Sequence, residues 1–301
     1  MVSLQWCIHI KVIDMSLSSV YNRAVSFVFK KTSRYLPPRL FFHMQYRVAM
    51  GKAAHLRHPR TFNEKIMKLI LTERDPILSV LVDKYRVKKY VADRIGEEYV
   101  VPTIGLWDSA DEIDFNSLPE QFILKCNHDS GSAVICMDKS SFDCEEARRS
   151  LAESLATAYS SNREWAYKDV PRKILAEPLL NPDGAHLDDY RFFCCNGEPK
   201  FVYVSTAGHI NFLSLDWKFL PFSRKDFPPQ ETLPDKPSRY DDMLRVARIL
   251  SEGLKFVRVD LYQVGEQVLF GELTLYPSGG VMYLSSYDQD VALGELLDIQ
   301  F

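Results

Sequence analysis

The stretch that most constrains this 301-residue chain is Phe256-Val-Arg-Val-Asp-Leu-Tyr262, followed by Val268-Leu-Phe-Gly-Glu-Leu-Thr-Leu-Tyr-Pro277. Both halves alternate with the period of two that a strand imposes. Val257, Val259 and Leu261 form one face of the first half, with Arg258 and Asp260 on the other. In the second half Leu269, Leu273 and Leu275 are expected to pack inward, with Glu272 and Thr274 opposite. The connector Gln263-Val-Gly-Glu-Gln267 is short and carries a glycine, which predicts a hairpin. Its natural register sets Asp260 beside Glu272 and Arg258 beside Thr274. Cross-strand neighbours lie roughly 5 Å apart, and like charges there repel. Two carboxylates flanked by core therefore call for a cation. Mg2+, bound through one or two carboxylates plus substrate phosphates, suits them. For the hairpin alone, a wet outer face on which the acids merely repel a little is the alternative.

A hydrophobic content of 46% is enough for a sizeable core and two or three subdomains. A net charge of -3 gives no global sign of nucleic-acid binding. The six cysteines, Cys7, Cys126, Cys136, Cys144, Cys194 and Cys195, show no C-x-x-C spacing. That lack of a zinc or disulfide pattern fits a reducing cytoplasm. No apolar run is long enough to span a bilayer. Residues 1–14 are interrupted by His9, Lys11 and Asp14 and lack a signal-peptide layout; Met1 and Met15 are both candidate starts.

Charge is unevenly spread. Between Asp14 and Glu64 there is no acidic residue, while Arg23, Lys30, Lys31, Arg34, Arg39, Arg47, Lys52, Arg57 and Arg60 fall there among aromatic and aliphatic residues. Residues 20–60 thus read either as a dock for an anionic membrane surface or acidic polysaccharide, or as a helical subdomain with a solvated basic rim.

Thr61-Phe-Asn-Glu64 predicts a capping box opening a helix, and Asp75-Pro76 the start of the next. Asp83 is expected to cap a third helix, with Lys84 in its first turn. A short strand is expected in residues 100–107. Gln121-Phe-Ile-Leu-Lys-Cys126 and Ala133-Val-Ile-Cys-Met137 read as strands around the loop Asn127-His-Asp-Ser-Gly-Ser132. A small Gly/Ser loop between strands can lay N–H groups on phosphate oxygens, and Lys125 places a cation just before it. An acid at Asp129 repels phosphate unless it faces away. A helix is expected over 145–159 and a strand over 173–180 that Pro178 ends. Asp189-Tyr-Arg-Phe-Phe-Cys-Cys195, Asn196-Gly197 and Lys200-Phe-Val-Tyr-Val204 predict a second hairpin, with Asp189 and Arg191 on one face. Residues 221–237 read as a Pro-rich loop, mobile or a lid, and 238–254 as an amphipathic helix.

The order Asp83-Lys84, strand lysine Lys125 before a small loop, strand glutamate Glu177, Asp189-Tyr-Arg191, Arg258-Val-Asp260 and Gly271-Glu272-Leu-Thr274 resembles the ATP-grasp superfamily. Arg60-Thr-Phe-Asn-Glu-Lys65, Leu118-Pro-Glu-Gln-Phe-Ile-Leu-Lys-Cys-Asn-His128, Trp165-Ala-Tyr167 and the run from Gly271 to Gly280 resemble the branch named for the teichuronopeptide biosynthesis protein. The resemblance runs from about residue 59 to 297. It implies an α+β fold in which two α+β subdomains sandwich ATP: a lid subdomain over residues 83–180 and a catalytic one over 181–301. Residues 1–82 read as a mainly helical, basic region instead of the usual first domain. By the resemblance, Lys84 and Lys125 contact phosphates, and His128, Ser130, Gly131 and Ser132 close over them. Glu177 and the segment after it hold adenine and ribose, and Asp189 and Arg191 complete the nucleotide set. Asp260 and Glu272 bind Mg2+, with Thr274 where many relatives have an asparagine. Arg258 and Lys125 serve the transfer itself.

The implied chemistry is ligation of a carboxylate to an amine through an acyl phosphate, releasing ADP and phosphate. Phosphoryl transfer needs positioning and charge more than a side-chain nucleophile. The expected setting is cytoplasmic, or peripheral on the inner face of the membrane, with the ligase joining an amine to a uronic acid of a bacterial surface polysaccharide. A kinase of a sugar or lipid hydroxyl, a glycosyltransferase and a non-catalytic binding module are the alternatives. No nucleic-acid partner is expected.

Overall fold

The computed structural model describes residues 33–157, 163–181, 187–299 and 301. The chain forms two compact units, Met1–Ala53 and Ala54–Phe301. In the first, helix α1 spans Pro38–Met50 and ends on Gly51 at φ 69, whose N–H bonds the Arg47 carbonyl. Phe41, Phe42 and Tyr46 are its buried positions. The basic stretch before residue 33, with Arg23, Lys30 and Lys31, lies outside the described residues.

The second unit opens on α2, Phe62–Thr72, whose capping box forms as the sequence predicts. Thr61 Oγ1 accepts the Glu64 N–H at 3.1 Å, and Glu64 Oε2 accepts that of Thr61 at 3.1 Å. After α3, Ile77–Leu81, comes α4, Arg86–Ile95. Asp83 Oδ1 accepts the N–H groups of Tyr85 and Arg86 at 2.9 and 3.2 Å. Lys84 therefore precedes the helix and does not lie in its first turn.

A four-stranded antiparallel sheet follows, in the order β1-β4-β2-β3. Its strands are β1 (Gly105–Trp107), β2 (Phe122–Cys126), β3 (Val134–Cys136) and β4 (Ile174–Pro178). Helix α5, Cys144–Ala156, sets Ala147 and Leu151 into a cluster with Phe122, Leu124, Cys126 and Ala176. Residue 159, the expected helix end, lies outside the described residues.

The second sheet has five antiparallel strands, ordered β7-β6-β5-β8-β9. They are β5 (Asp189–Cys195), β6 (Glu198–Thr206), β7 (His209–Leu213), β8 (Phe256–Val264) and β9 (Gln267–Thr274). Asn196 and Gly197, at φ 52 and 80, make the β5–β6 turn that their dipeptide predicts. Helix α6, Tyr240–Ser251, buries Met243, Val246, Ala247 and Leu250. It packs on β5, β6 and β8. Helix α7, Tyr287–Leu296, which the sequence reading omits, docks on α2. Asp290 there accepts from the Asn63 N–H and side-chain amide at 3.0 and 3.1 Å. The 221–237 segment contains no helix or strand, yet β7 holds it: Ile210 N–H donates to Pro228 at 3.1 Å, and Gln230 N–H to Asn211 Oδ1 at 3.1 Å.

The opening hairpin pairs Asp260 with Glu272 and Arg258 with Thr274, the register that counting by twos requires. Leu269, Leu273 and Leu275 are all buried as expected, but Leu269 lies on the other face of the strand from Leu273. The ladder shifts after Asp260, so Leu261 faces Phe270, Tyr262 faces Leu269, and Gly271 is the extra residue of a bulge. One inserted residue resets the alternation, taking Leu269 out of line with Leu273. A Cβ on Gly271 would lie 2.8 Å from the Tyr262 ring and 3.1 Å from the Asp260 carbonyl, so that close approach requires glycine.

Candidate active site

The carboxylate pair sits on the central face of the five-stranded sheet. Strand pairing places Arg191 of β5 opposite Asp260 of β8 and Glu272 of β9 beyond it. Arg258 points along the same face and supplies the cation that the pair demands. Its Nε and Nη2 donate to Asp260 Oδ1 and Oδ2 at 2.7 and 2.5 Å, and Nη2 reaches Glu272 Oε1 at 2.8 Å. Thr274 Oγ1 donates to the same Glu272 oxygen at 2.8 Å. Arg191 bonds Asp189 Oδ2 at 2.6 Å and lies 3.7 Å from Asp260.

These contacts divide the two acids. Burial pushes the Asp260 carboxyl up; Arg258 opposes that, while Asp189 and Glu272 add to it. Burial also works to raise Glu272, but Arg258, Lys84 and the Thr274 hydroxyl hold it down at about 2.

The lysines and the loop approach from the other sheet. β2 ends on Lys125-Cys126 and runs into the loop, whose Gly131 adopts φ +102 with open space where a Cβ would stand. Asp129 turns its Oδ1 to the Ser132 hydroxyl, which donates to it at 2.6 Å. The same hydroxyl accepts the Cys126 N–H at 2.9 Å, so the Ser132 side chain is spent on loop shape. Lys84 donates to the Asp129 carbonyl. Burial lowers the pKa of both Lys84 and His128, favouring a neutral imidazole at neutral pH.

A cavity of about 670 Å³ joins Lys84, His128, Ser130, Gly131 and Ser132 to Arg258, Glu272 and Thr274. Asp260 is not in its lining, being 2% exposed beneath Arg258. A neighbouring cavity of about 310 Å³ is lined by Lys84, Lys88, Lys125, Glu177 and residues 178–181. Tyr262, Phe270 and Gly271 close its far wall. Lys84 lines both. Lys125, expected beside phosphates and loop, instead ion-pairs with Glu177 Oε2 at 2.6 Å in the smaller cavity. Asp189 and Arg191, expected at the nucleotide, line neither cavity and join the carboxylate–guanidinium network.

Sequence reasoning missed Lys88, which bonds Glu177 Oε1 at 2.6 Å. Lys88 lies in the first turn of α4, and nothing in its spacing sets it apart from a solvated lysine. Glu164, Tyr167 and Tyr276, all in the larger cavity, were also missed as site residues. Tyr167 and Tyr276 lie within the family-like motifs quoted above.

The donor set decides which metal could be held. Among the described residues no group of three or more His, Cys, Asp or Glu could hold an ion. Two carboxylates and a hydroxyl leave most positions to phosphate and water, which fits Mg2+ and not a closed protein cage. Asp189 Oδ1 beside them is buried without a hydrogen-bond partner, and the Arg258 guanidinium stands between the two acids.

Two antiparallel sheets, one carrying a strand lysine and a small loop and the other paired acids with an arginine, define an ATP-grasp fold. The chain belongs to the TupA-like ATPgrasp family, whose model matches residues 64–298. It is similar to D-alanine–D-alanine ligase from Helicobacter pylori, at 18% identity and a TM-score of 0.45, over 74% of this chain and 62% of that one. The corresponding Bacillus anthracis ligase gives 15% identity and a TM-score of 0.42, over 74% and 67%. The ATP-grasp ligase PsnB, complexed with a phosphomimetic variant of minimal precursor, Mg and ADP, gives 12% and 0.39, over 95% and 73%. The chain thus spans 62% of the length of the Helicobacter ligase. No curated protein matches it.

Proposed function

We propose that this member of an ATP-grasp ligase family joins a carboxylate to an amine at the expense of ATP. The carrying observation is the larger cavity, which sets Lys84 and the 128–132 loop against Arg258, Glu272 and Thr274. The Lys84 ammonium and the loop thereby face Glu272, Thr274 and Arg258 across a space in which a triphosphate and an acceptor acid could meet.

In this reading the acceptor carboxylate oxygen attacks the γ-phosphorus of ATP, and the bond to the ADP oxygen breaks. An amine then attacks the acyl carbon and loses a proton, and phosphate leaves with the C–O electrons. Lys84 and Lys125 bind phosphate oxygens, with the loop N–H groups of Ser130 and Gly131 beside them. Glu177 and residues 178–181 bound the adenine side. Arg258 steadies the transferring group and the tetrahedral intermediate. Asp260 and Glu272, with Thr274, would hold Mg2+, which supplies charge against the phosphates when bound.

The acid is taken to be a uronic acid of a surface polysaccharide, in the cytoplasm or at the inner membrane face. Basic residues 20–60 suit an acidic glycan or anionic lipid. No helix among the described residues is long and apolar enough to cross a membrane.

ADP release against a panel of uronic acids and amines tests the reaction. Product should require both partners, and Asp260→Asn should lower turnover by about 10³-fold, the scale of removing a group that stabilises transition-state charge. ADP formed with an alcohol and no amine would indicate a kinase. Release indifferent to acceptor and to Asp260 would sink the ligase reading.

A further inference from the structure

Lys88 belongs to no role assigned above, yet it is the best-satisfied ammonium near the site. Its Nζ donates to Glu177 Oε1 at 2.6 Å, to the Val101 carbonyl at 2.8 Å and to Thr103 Oγ1 at 2.8 Å. An ammonium has three N–H donors, so these acceptors use all of them. Lys125 differs. Its one ion-pair partner among the described residues is Glu177 Oε2 at 2.6 Å, and its side chain is 21% exposed against 13% for Lys88. One buried carboxylate is therefore shared between a saturated lysine and one with donors to spare.

The charge count gives this sharing a consequence. Among the described residues lining the smaller cavity, the charged ones are Lys84, Lys88, Lys125 and Glu177. Were Lys125 alone with Glu177, the two would form a neutral pair, and a phosphate would have to compete with a carboxylate for the ammonium. With Lys88 holding the other oxygen, the group of three carries one net positive charge. Glu177 is also fixed from the α4 side, by an ammonium anchored to the 101–103 segment.

We propose that Lys88 is a positioning residue for nucleotide binding: by neutralising Glu177 it leaves the Lys125 ammonium as the excess charge, available to a polyphosphate. This rests on the ATP reading above. It assigns Lys88 no contact with nucleotide, because its three donors are committed elsewhere. Burial lowers the Lys88 pKa while Glu177 raises it, and Lys125 and Lys88 hold Glu177 below its ordinary value against burial. The lowered Glu177 is what a carboxylate held between two ammoniums requires, whereas at Lys88 burial outweighs the carboxylate, so the charge there rests on the three acceptors around its Nζ.

The test is calorimetric titration of the full chain with ATP and Mg2+, which needs no knowledge of the acceptors. Lys88→Met should weaken ATP binding about tenfold, on the order of 1.4 kcal/mol. Lys88→Arg, which keeps the charge, should stay within about threefold, under 1 kcal/mol. The deciding comparison is Lys88→Met made in a Glu177→Gln background, read against Glu177→Gln alone, so that any direct contribution of Glu177 to the nucleotide cancels. With no carboxylate left to neutralise, Lys88→Met should change affinity there by less than about twofold. A purely structural lysine predicts that the tenfold loss persists in that background. Thermal melts of all variants check folding, and the Glu177→Gln pair stays informative if Lys88→Met alone is unstable. A single Lys88→Met variant that binds like the wild type, or an undiminished loss in the Glu177→Gln background, overturns the proposal while leaving the ATP reading standing. A wild-type chain that does not bind ATP overturns both.

Discussion

The two sides of the site handle charge in opposite ways. On the five-stranded sheet, three carboxylates (Asp189, Asp260, Glu272) meet two guanidiniums (Arg191, Arg258), leaving one negative charge in excess. On the lysine side, the described residues lining the smaller cavity set Lys84, Lys88 and Lys125 against the one carboxylate Glu177, leaving two positive charges in excess. The first surplus suits a cation and the second an anion. The residue types differ to match. A guanidinium fork can bind two carboxylates in fixed geometry, and Arg258 does so between Asp260 and Glu272. A lysine ammonium is a point charge on a flexible stem, suited to changing partners when phosphate arrives. One side is a rigid, nearly self-neutralised network, and the other holds charge in reserve.

Breaking each side should therefore cost different amounts. The largest effect belongs to Arg258→Met. It strips the bidentate partner from Asp260, which is 2% exposed, and an uncompensated buried charge costs about 3–5 kcal/mol. Urea denaturation should show that loss, and adding Asp260→Asn should return most of it. Lys125→Met is the matching change on the lysine side. Glu177 keeps Lys88 there, so the expected loss is about 1.5–3 kcal/mol, the scale of one charged hydrogen bond. Equal losses from the two variants would erase the contrast between a locked face and a reserve of charge.

What could be read from the sequence followed the range of each interaction. Period-two alternation and a short glycine connector placed Asp260 opposite Glu272 and Arg258 opposite Thr274, because hairpin register is a local property. Thr61 and Glu64 declared their capping box for the same reason. Leu269 is buried as expected, but on the face opposite Leu273, because a bulge at Gly271 leaves no composition signal beyond a single glycine. Lys88 was passed over because a lysine on an amphipathic helix resembles any solvated lysine. Its partners Val101, Thr103 and Glu177 come from other segments, and only the tertiary fold brings them to it. Lys125 was placed with the phosphates by its position at a strand end and by the family resemblance, and its ion pair with Glu177 depends on β2 lying beside β4.

The smallest predicted effect concerns acid, and it separates the two carboxylates at the centre of the hairpin. The Glu272 pKa is held at about 2, below its ordinary 4.5. A group depressed in the folded state contributes stability that is full above its unfolded value, so acidification from about 4.5 toward 2 removes it. Asp260 is pushed the other way, above 3.8, so protonating it relieves an unfavourable charge and offsets part of that loss. Glu272→Gln deletes the first contribution and leaves the second. Denaturation free energies measured between pH 5 and about 2.5 should therefore fall less steeply in the variant than in the wild type. The Glu272 side chain is 41% exposed, and solvent screening keeps the difference modest. Parallel slopes would mean that Arg258, Lys84 and Thr274 do not hold Glu272 ionised, and that Arg258 belongs to Asp260 alone.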